Sequence, residues 1–124
     1  MKFHGTLDFT VIEQGAERVV GEMPVQAGLL NPFGVANAGA ILWFADVCAT
    51  VLTAGQAQVA PGAAGFPLAI SLNASFLGNQ TDGVFKATST FVKRGRQVSV
   101  VRTVITGASD RLIAEVTTSH VPAK

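Results

Sequence analysis

The chain has 124 residues, 48% hydrophobic and 14% charged, with a formal net charge of +1. That length fits one domain over residues 1–124, the near-neutral charge argues against general nucleic-acid binding, and the single cysteine, Cys48, excludes an internal disulfide and fits a reducing, cytoplasmic setting. A charged share well under the usual quarter or so asks for more hidden surface than a monomer of this size provides, so a homo-oligomer is expected.

The first residues, Lys2 and Asp8 among them, lack the apolar centre of a signal peptide. Residues 9–13 and 18–25 predict two strands around a turn at Gln14, Gly15 and Ala16. Residues 26–35, with Gly28, Pro32 and Gly34, read as a loop. Asn37 is placed to cap a helix that runs to about Thr53 and stops at Gly55. This helix is hydrophobic nearly all round, which predicts that protein surrounds it. Its apolar run of seventeen residues, 38–54, has Asp46 at its centre and is short of the roughly twenty residues of a membrane span, so no membrane partner is expected. Residues 56–67 are rich in Ala, Gly and Pro and read as another loop.

Four more strands follow. Residues 68–77 alternate, with Ile70, Leu72, Ala74 and Phe76 on one face and Ser71, Asn73 and Ser75 on the other. Residues 84–92 and 97–106 form a hairpin around Lys93, Arg94, Gly95 and Arg96, and residues 107–110 turn the chain into a last strand over 111–121. Two strands, one long apolar helix and four strands predict an α+β fold in which a six-stranded antiparallel sheet wraps a central helix.

Between Met23 and Thr81 the one charged side chain is Asp46. A carboxylate in apolar surroundings loses hydration and is tolerated only when paired, hydrogen-bonded, neutralised or used. From the residues alone, a structural and a catalytic aspartate both stay open. Cys48 reads as a small core residue, Trp43 and Phe44 as core or interface, and Asn37 as a cap before it is anything catalytic. His4 and His120 lie near the two ends, with neither dyad nor metal spacing, so no metal is expected. The Gly62-Ala-Ala-Gly65 run lacks the lysine of a phosphate loop. By default the basic turn at 93–96 is solvated.

Three segments together resemble a known family. They are Asn31-Pro-Phe-Gly34-Val-Ala-Asn37-Ala38-Gly39 with Asp46 seven positions later, the strand Ser71-Leu-Asn73-Ala-Ser-Phe-Leu77, and the turn Val92-Lys-Arg-Gly-Arg-Gln-Val98. In this order the chain resembles the hotdog-fold thioesterases of the phenylacetate-degradation (PaaI-like) group, over nearly its whole length. The resemblance implies a hotdog fold and hydrolysis of an acyl- or aryl-coenzyme A thioester, with that thioester as substrate and no other cofactor. There are departures: the family's His is Asn37 here, its first Gly is Ala38, and the Ser or Thr that some members carry after the helix is matched by Ala69.

Thioester hydrolysis needs an activator of water or a nucleophile, donors for the carbonyl oxygen, and a grip on the carrier. Asp46 supplies the first, as general base with a pKa raised by dry surroundings or as nucleophile. The first-turn N–H groups of Ala38 and Gly39, beside Asn37, supply the second, because they lack intrahelical acceptors and sit at the positive end of the helix dipole. By its family counterpart, Asn31 orients the water or the substrate carbonyl. Lys93, Arg94 and Arg96 around Gly95 suit the phosphates of coenzyme A. Asp46 follows Gly39 by seven and Ala38 by eight residues, which is roughly 11–12 Å along a helix. One thioester cannot reach both within a chain, so a composite site between the subunits of a homodimer, or of a dimer of dimers, is expected. Two alternatives stand beside hydrolysis. One is a hotdog protein that binds acyl-coenzyme A without cleaving it, suggested by Asn37 and Ala38. The other is an enoyl-coenzyme A hydratase, disfavoured because that chemistry usually pairs an Asp with a His and no His is expected near Asp46.

Overall fold

Turn-forming residues set where each element begins and ends. The computed structural model describes residues 2–3, 5–55 and 65–123. Strands β1 (Thr10–Gln14) and β2 (Arg18–Pro24) meet at a turn closed by the Gly15 N–H donating to the Arg18 carbonyl at 2.9 Å. Helix α1 (Ala38–Ala54) starts at the Asn37 cap and ends at Gly55, whose φ of +60° is the left-handed setting that glycine tolerates. Then come β3 (Pro67–Phe76), β4 (Val84–Lys93), β5 (Ser99–Thr106) and β6 (Leu112–Pro122). The predicted loop at 56–67 lies largely outside the described residues.

All neighbouring strands pair antiparallel, in the order β1-β2-β4-β5-β6-β3. The expected six-stranded sheet with one long helix is therefore present. The strand that leaves the helix, β3, lies at the far edge and pairs with the last strand, β6.

Period-two alternation picks out the sheet face that carries α1. Val19 and Met23 of β2, Phe85 and Ala87 of β4, Val101 and Ile105 of β5, and Ala114 and Val116 of β6 are buried with Ile41, Phe44, Ala45, Cys48, Ala49 and Leu52 of the helix. Gly21 of β2 lets the helix lie close. A Cβ there would stand 2.7 Å from Cys48 Sγ and 2.9 Å from a Phe44 ring carbon. Burial pushes the Cys48 thiol up to about 12, so it serves as an unreactive core side chain.

Among the described residues, apolar surface stays uncovered on the helix and at the sheet edge, and here the structure departs from the expected all-round burial of the helix. The sheet covers one side of α1, while Trp43 on another is 49% exposed. On the edge strand β3, Ile70, Leu72 and Phe76 are exposed, and β3 has a neighbouring strand on one side only. An apolar edge of this kind is a template for association.

Candidate active site

The loop before the helix is built by its own asparagines. Asn31 Oδ1 accepts the N–H groups of Phe33 (2.9 Å) and Val35 (3.2 Å), and its backbone N–H donates to the Val35 carbonyl at 2.8 Å. Asn79 holds the loop from the far side, accepting the Ala36 N–H on Oδ1 at 3.1 Å. The Asn37 N–H donates to the Leu29 carbonyl at 2.7 Å, and Asn37 Oδ1 accepts the Gly39 N–H at 2.9 Å. The expected cap is thus formed, with a consequence for the expected donors. The Gly39 N–H is already taken, because an asparagine side chain is short enough to fold back over the first turn. The Ala38 N–H has no acceptor among the described residues. Asn31, Asn37 and Gly39 line a pocket of about 520 Å³ with Trp43, Leu30 and Gly28.

Asp46 lies elsewhere. It is half-buried and lines a separate pocket of about 480 Å³ with Val47, Thr50 and Val51 of α1 and with Phe66, Pro67, Leu68 and Ala69 leading into β3. Phe66 and Pro67 are the described end of the segment that the sequence predicted as a loop over residues 56–67. Asp46 Oδ1 is buried without a hydrogen-bond partner among the described residues. One chain therefore groups Asn31, Asn37 and Gly39 at the helix start and sets Asp46 apart from them.

The structure adds a residue that the sequence reading set aside. His120 is 2% exposed, on the helix-facing side of β6, and its Nε2 lies 2.8 Å from the Thr118 hydroxyl. Burial lowers its pKa, and the nearby Asp46 carboxylate pulls it partway back up. Seventy-four positions separate the two in the chain (120 − 46), so spacing gave no sign of a dyad; the pairing of β6 with β3 beside α1 makes them neighbours. A legible signal was the placement of His120 in the apolar phase of a strand, after Val116 and Thr118. His4 lies outside the described residues.

The basic turn divides its roles. Gly95 is required by close approach: a Cβ there would stand 2.1 Å from the Val98 carbonyl oxygen. Arg94 is already committed. Its Nη1 lies 3.3 Å from Glu17 Oε1, its Nη2 donates to the Ala16 carbonyl, and its guanidinium sits 4.4 Å over the Phe91 ring. Lys93 and Arg96 take part in no ion pair among the described residues. Arg96 borders a smaller pocket of about 160 Å³ with Ser99 and His120. Among the described residues, no cluster of three or more His, Cys, Asp or Glu side chains could hold a metal, and no helix is long and apolar enough to cross a membrane.

No family model matches the chain. Over 107 residues it is 30% identical to the Bacillus subtilis (strain 168) protein named "Putative esterase ComA2", covering 86% of this chain and 82% of that protein. Its backbone superposes on a mutant thioesterase of Staphylococcus aureus subsp. aureus Mu50 with a TM-score of 0.84, at 22% identity over 94% of this chain and 93% of that one. A Streptococcus pneumoniae TIGR4 protein described as a hypothetical thioesterase, solved with coenzyme A, gives a TM-score of 0.83 at 17% identity over 94% and 86% of the two chains. The chain belongs to the family of that Bacillus protein, and its sheet-and-helix architecture is the hotdog fold of the thioesterases.

Proposed function

We propose that this protein hydrolyses an acyl- or aryl-coenzyme A thioester to the free acid and coenzyme A, in a composite site between two subunits. One observation carries the reading. The carboxylate with an unpartnered buried oxygen and the helix start with an open N–H border different pockets of one chain. They are roughly 11–12 Å apart along α1. A second subunit, packed about a two-fold axis against the uncovered apolar side of α1 and the open edge of β3, would bring each acid to its neighbour's helix start and make two equal sites. A homodimer suffices, and a dimer of dimers repeats the arrangement.

In this site the Asp46 carboxylate takes a proton from water as the water oxygen bonds to the thioester carbon. The thiolate of coenzyme A then leaves and takes up a proton. In the covalent variant the carboxylate itself attacks, giving a mixed anhydride that water cleaves. Charge on the carbonyl oxygen is met by the Ala38 N–H, joined by Gly39 when the Asn37 side chain gives way. The Asn31 side-chain NH₂ orients the substrate or the water. Lys93 and Arg96, on the turn shaped by Gly95, face the phosphates; Arg94 joins them only by leaving Glu17. The esterase-named relative and the coenzyme A held by the pneumococcal protein support this reading. It takes residues 1–124 as one cytoplasmic domain needing no further cofactor.

The Asn37 cap on the Gly39 N–H favours one second reading, a protein that binds acyl-coenzyme A without cleaving it. A panel of aliphatic and aryl coenzyme A thioesters, followed by free-thiol release in wild type and Asp46→Asn, separates the two. Thiol release that depends on Asp46 supports hydrolysis. Tight binding without release supports the second reading, and loss of an enoyl chromophore without release points to hydration instead.

A further inference from the structure

Among the described residues, two buried side-chain polar atoms lack a hydrogen-bond partner, Asp46 Oδ1 and His120 Nδ1, and the Asp46 carboxylate acts to raise the His120 pKa. Buried polar atoms without partners are rare in folded proteins and call for an explanation. The backbone brings these two to the same place. Ala69 of β3 is the register partner of His120 in β6 and also lines the Asp46 pocket. Directly opposed residues of antiparallel strands share a face, and Ala69 contributes only a methyl group there. Pro67 lines both the Asp46 pocket and the smaller pocket that His120 borders.

In one of the two imidazole tautomers the hydrogen-bonding capacities of the two atoms are complementary. A neutral imidazole has one donor and one acceptor nitrogen. If the Thr118 hydroxyl donates to Nε2 across their 2.8 Å contact, the ring proton resides on Nδ1. Nδ1–H is then a donor in want of an acceptor, and Asp46 Oδ1 an acceptor in want of a donor.

We propose that His120 is a positioning residue for Asp46: its Nδ1–H, set by Thr118, orients the carboxylate through one water, leaving the second carboxylate oxygen for the reacting water. The proposal rests on Asp46 acting as in the preceding section, and it adds a polar group from β6 that the resemblance did not supply. Among the described residues, the charged groups bordering His120 are Asp46 from α1 and Arg96 from the turn between β4 and β5. The residues of β3 (Pro67, Ala69) and β5 (Ser99) near it are uncharged.

The decisive measurement is the imidazole titration of His120 by NMR in wild type and in Asp46→Asn, both in a His4→Gln background so that one histidine signal remains. Loss of the carboxylate, which holds the ring's proton on, should lower the His120 pKa; an unchanged titration overturns the pairing. This arm requires no activity, so it decides the pairing even if the protein cleaves no thioester, an outcome that would sink the proposed hydrolysis instead. With an active wild type, His120→Leu should reduce kcat by about tenfold or more, the worth of one hydrogen bond to a charged group, with KM unchanged. His120→Asn, which keeps a donor near the Nδ1 position, should recover most of that loss. Full kcat in a folded His120→Leu, or a loss in both variants that tracks thermal stability alone, would reject the positioning role while leaving Asp46 in place.

Discussion

The two ends of the proposed reaction sit on one helix but obey opposite rules. At the start of α1 the polar groups are nearly all matched. Asn31 closes its own loop, Asn79 holds Ala36, and Asn37 covers the Gly39 N–H. Near mid-helix, Asp46 of α1 and His120 of β6 each bury an atom with no partner among the described residues. The first region spends its polar side chains on building backbone geometry, and its open donor is a main-chain N–H. The second keeps polar atoms unmatched in an apolar pocket, which costs stability and is kept where a site uses it. A residue that looks catalytic in a motif can thus be architectural, while an unremarked strand histidine holds the unsatisfied atom.

The largest test of this contrast is Asp46→Asn. It should cut thiol release by about 10²–10⁴-fold, with a thermal midpoint close to wild type, because the side-chain shape is kept. A variant retaining a tenth of the rate would break the contrast. Next comes the packing that holds mid-helix to the sheet. Gly21→Ala forces a methyl against Cys48 and Phe44 and should lower stability by about 1–3 kcal/mol in urea unfolding.

A smaller effect sharpens the comparison from the other end. Asn37→Ala should cost about 1 kcal/mol through the lost cap, yet leave kcat unchanged or raised, because the Gly39 N–H is freed. A collapse of kcat without loss of stability would instead make Asn37 a catalytic group. At the basic turn, Arg96→Ala should raise KM several-fold in a salt-sensitive way. Arg94→Ala should change KM less, since Arg94 is already occupied by Glu17, Ala16 and Phe91.

The smallest effect is on acid stability. Burial lowers the His120 pKa from 6.5, and Asp46 offsets only part of that. The unfolded chain therefore binds a proton that the folded chain resists. The stability tied to this group is complete above pH 6.5 and declines as pH falls below it toward the folded value. Thermal midpoints of wild type should drop more steeply across that window than those of a folded His120→Asn.

Much of the architecture was legible because period and punctuation are local. Asn37 and Gly55 marked the ends of the helix, the alternating runs marked six strands, and Gly95 marked a tight turn. The candidate site was legible only in part. The motif put Asn31, Asn37, Gly39 and Asp46 in order along the chain, and helical rise alone separated the acid from the donors. It did not show that Asn37 would occupy one of those donors, since a hydrogen bond depends on where a side chain folds back. Nor did it show that Arg94 would be bound to a turn seventy-eight residues away.

The amino-acid order by itself determined the elements, their sequence along the chain and the isolation of one carboxylate in an apolar helix, because each follows from short-range periodicity and composition. The neighbours of that carboxylate were settled by strand order. Placing β3 at the sheet edge beside β6 sets His120 next to Asp46 and leaves apolar surface uncovered. Contacts between residues distant in sequence arise from the packing of whole strands, which no local pattern encodes.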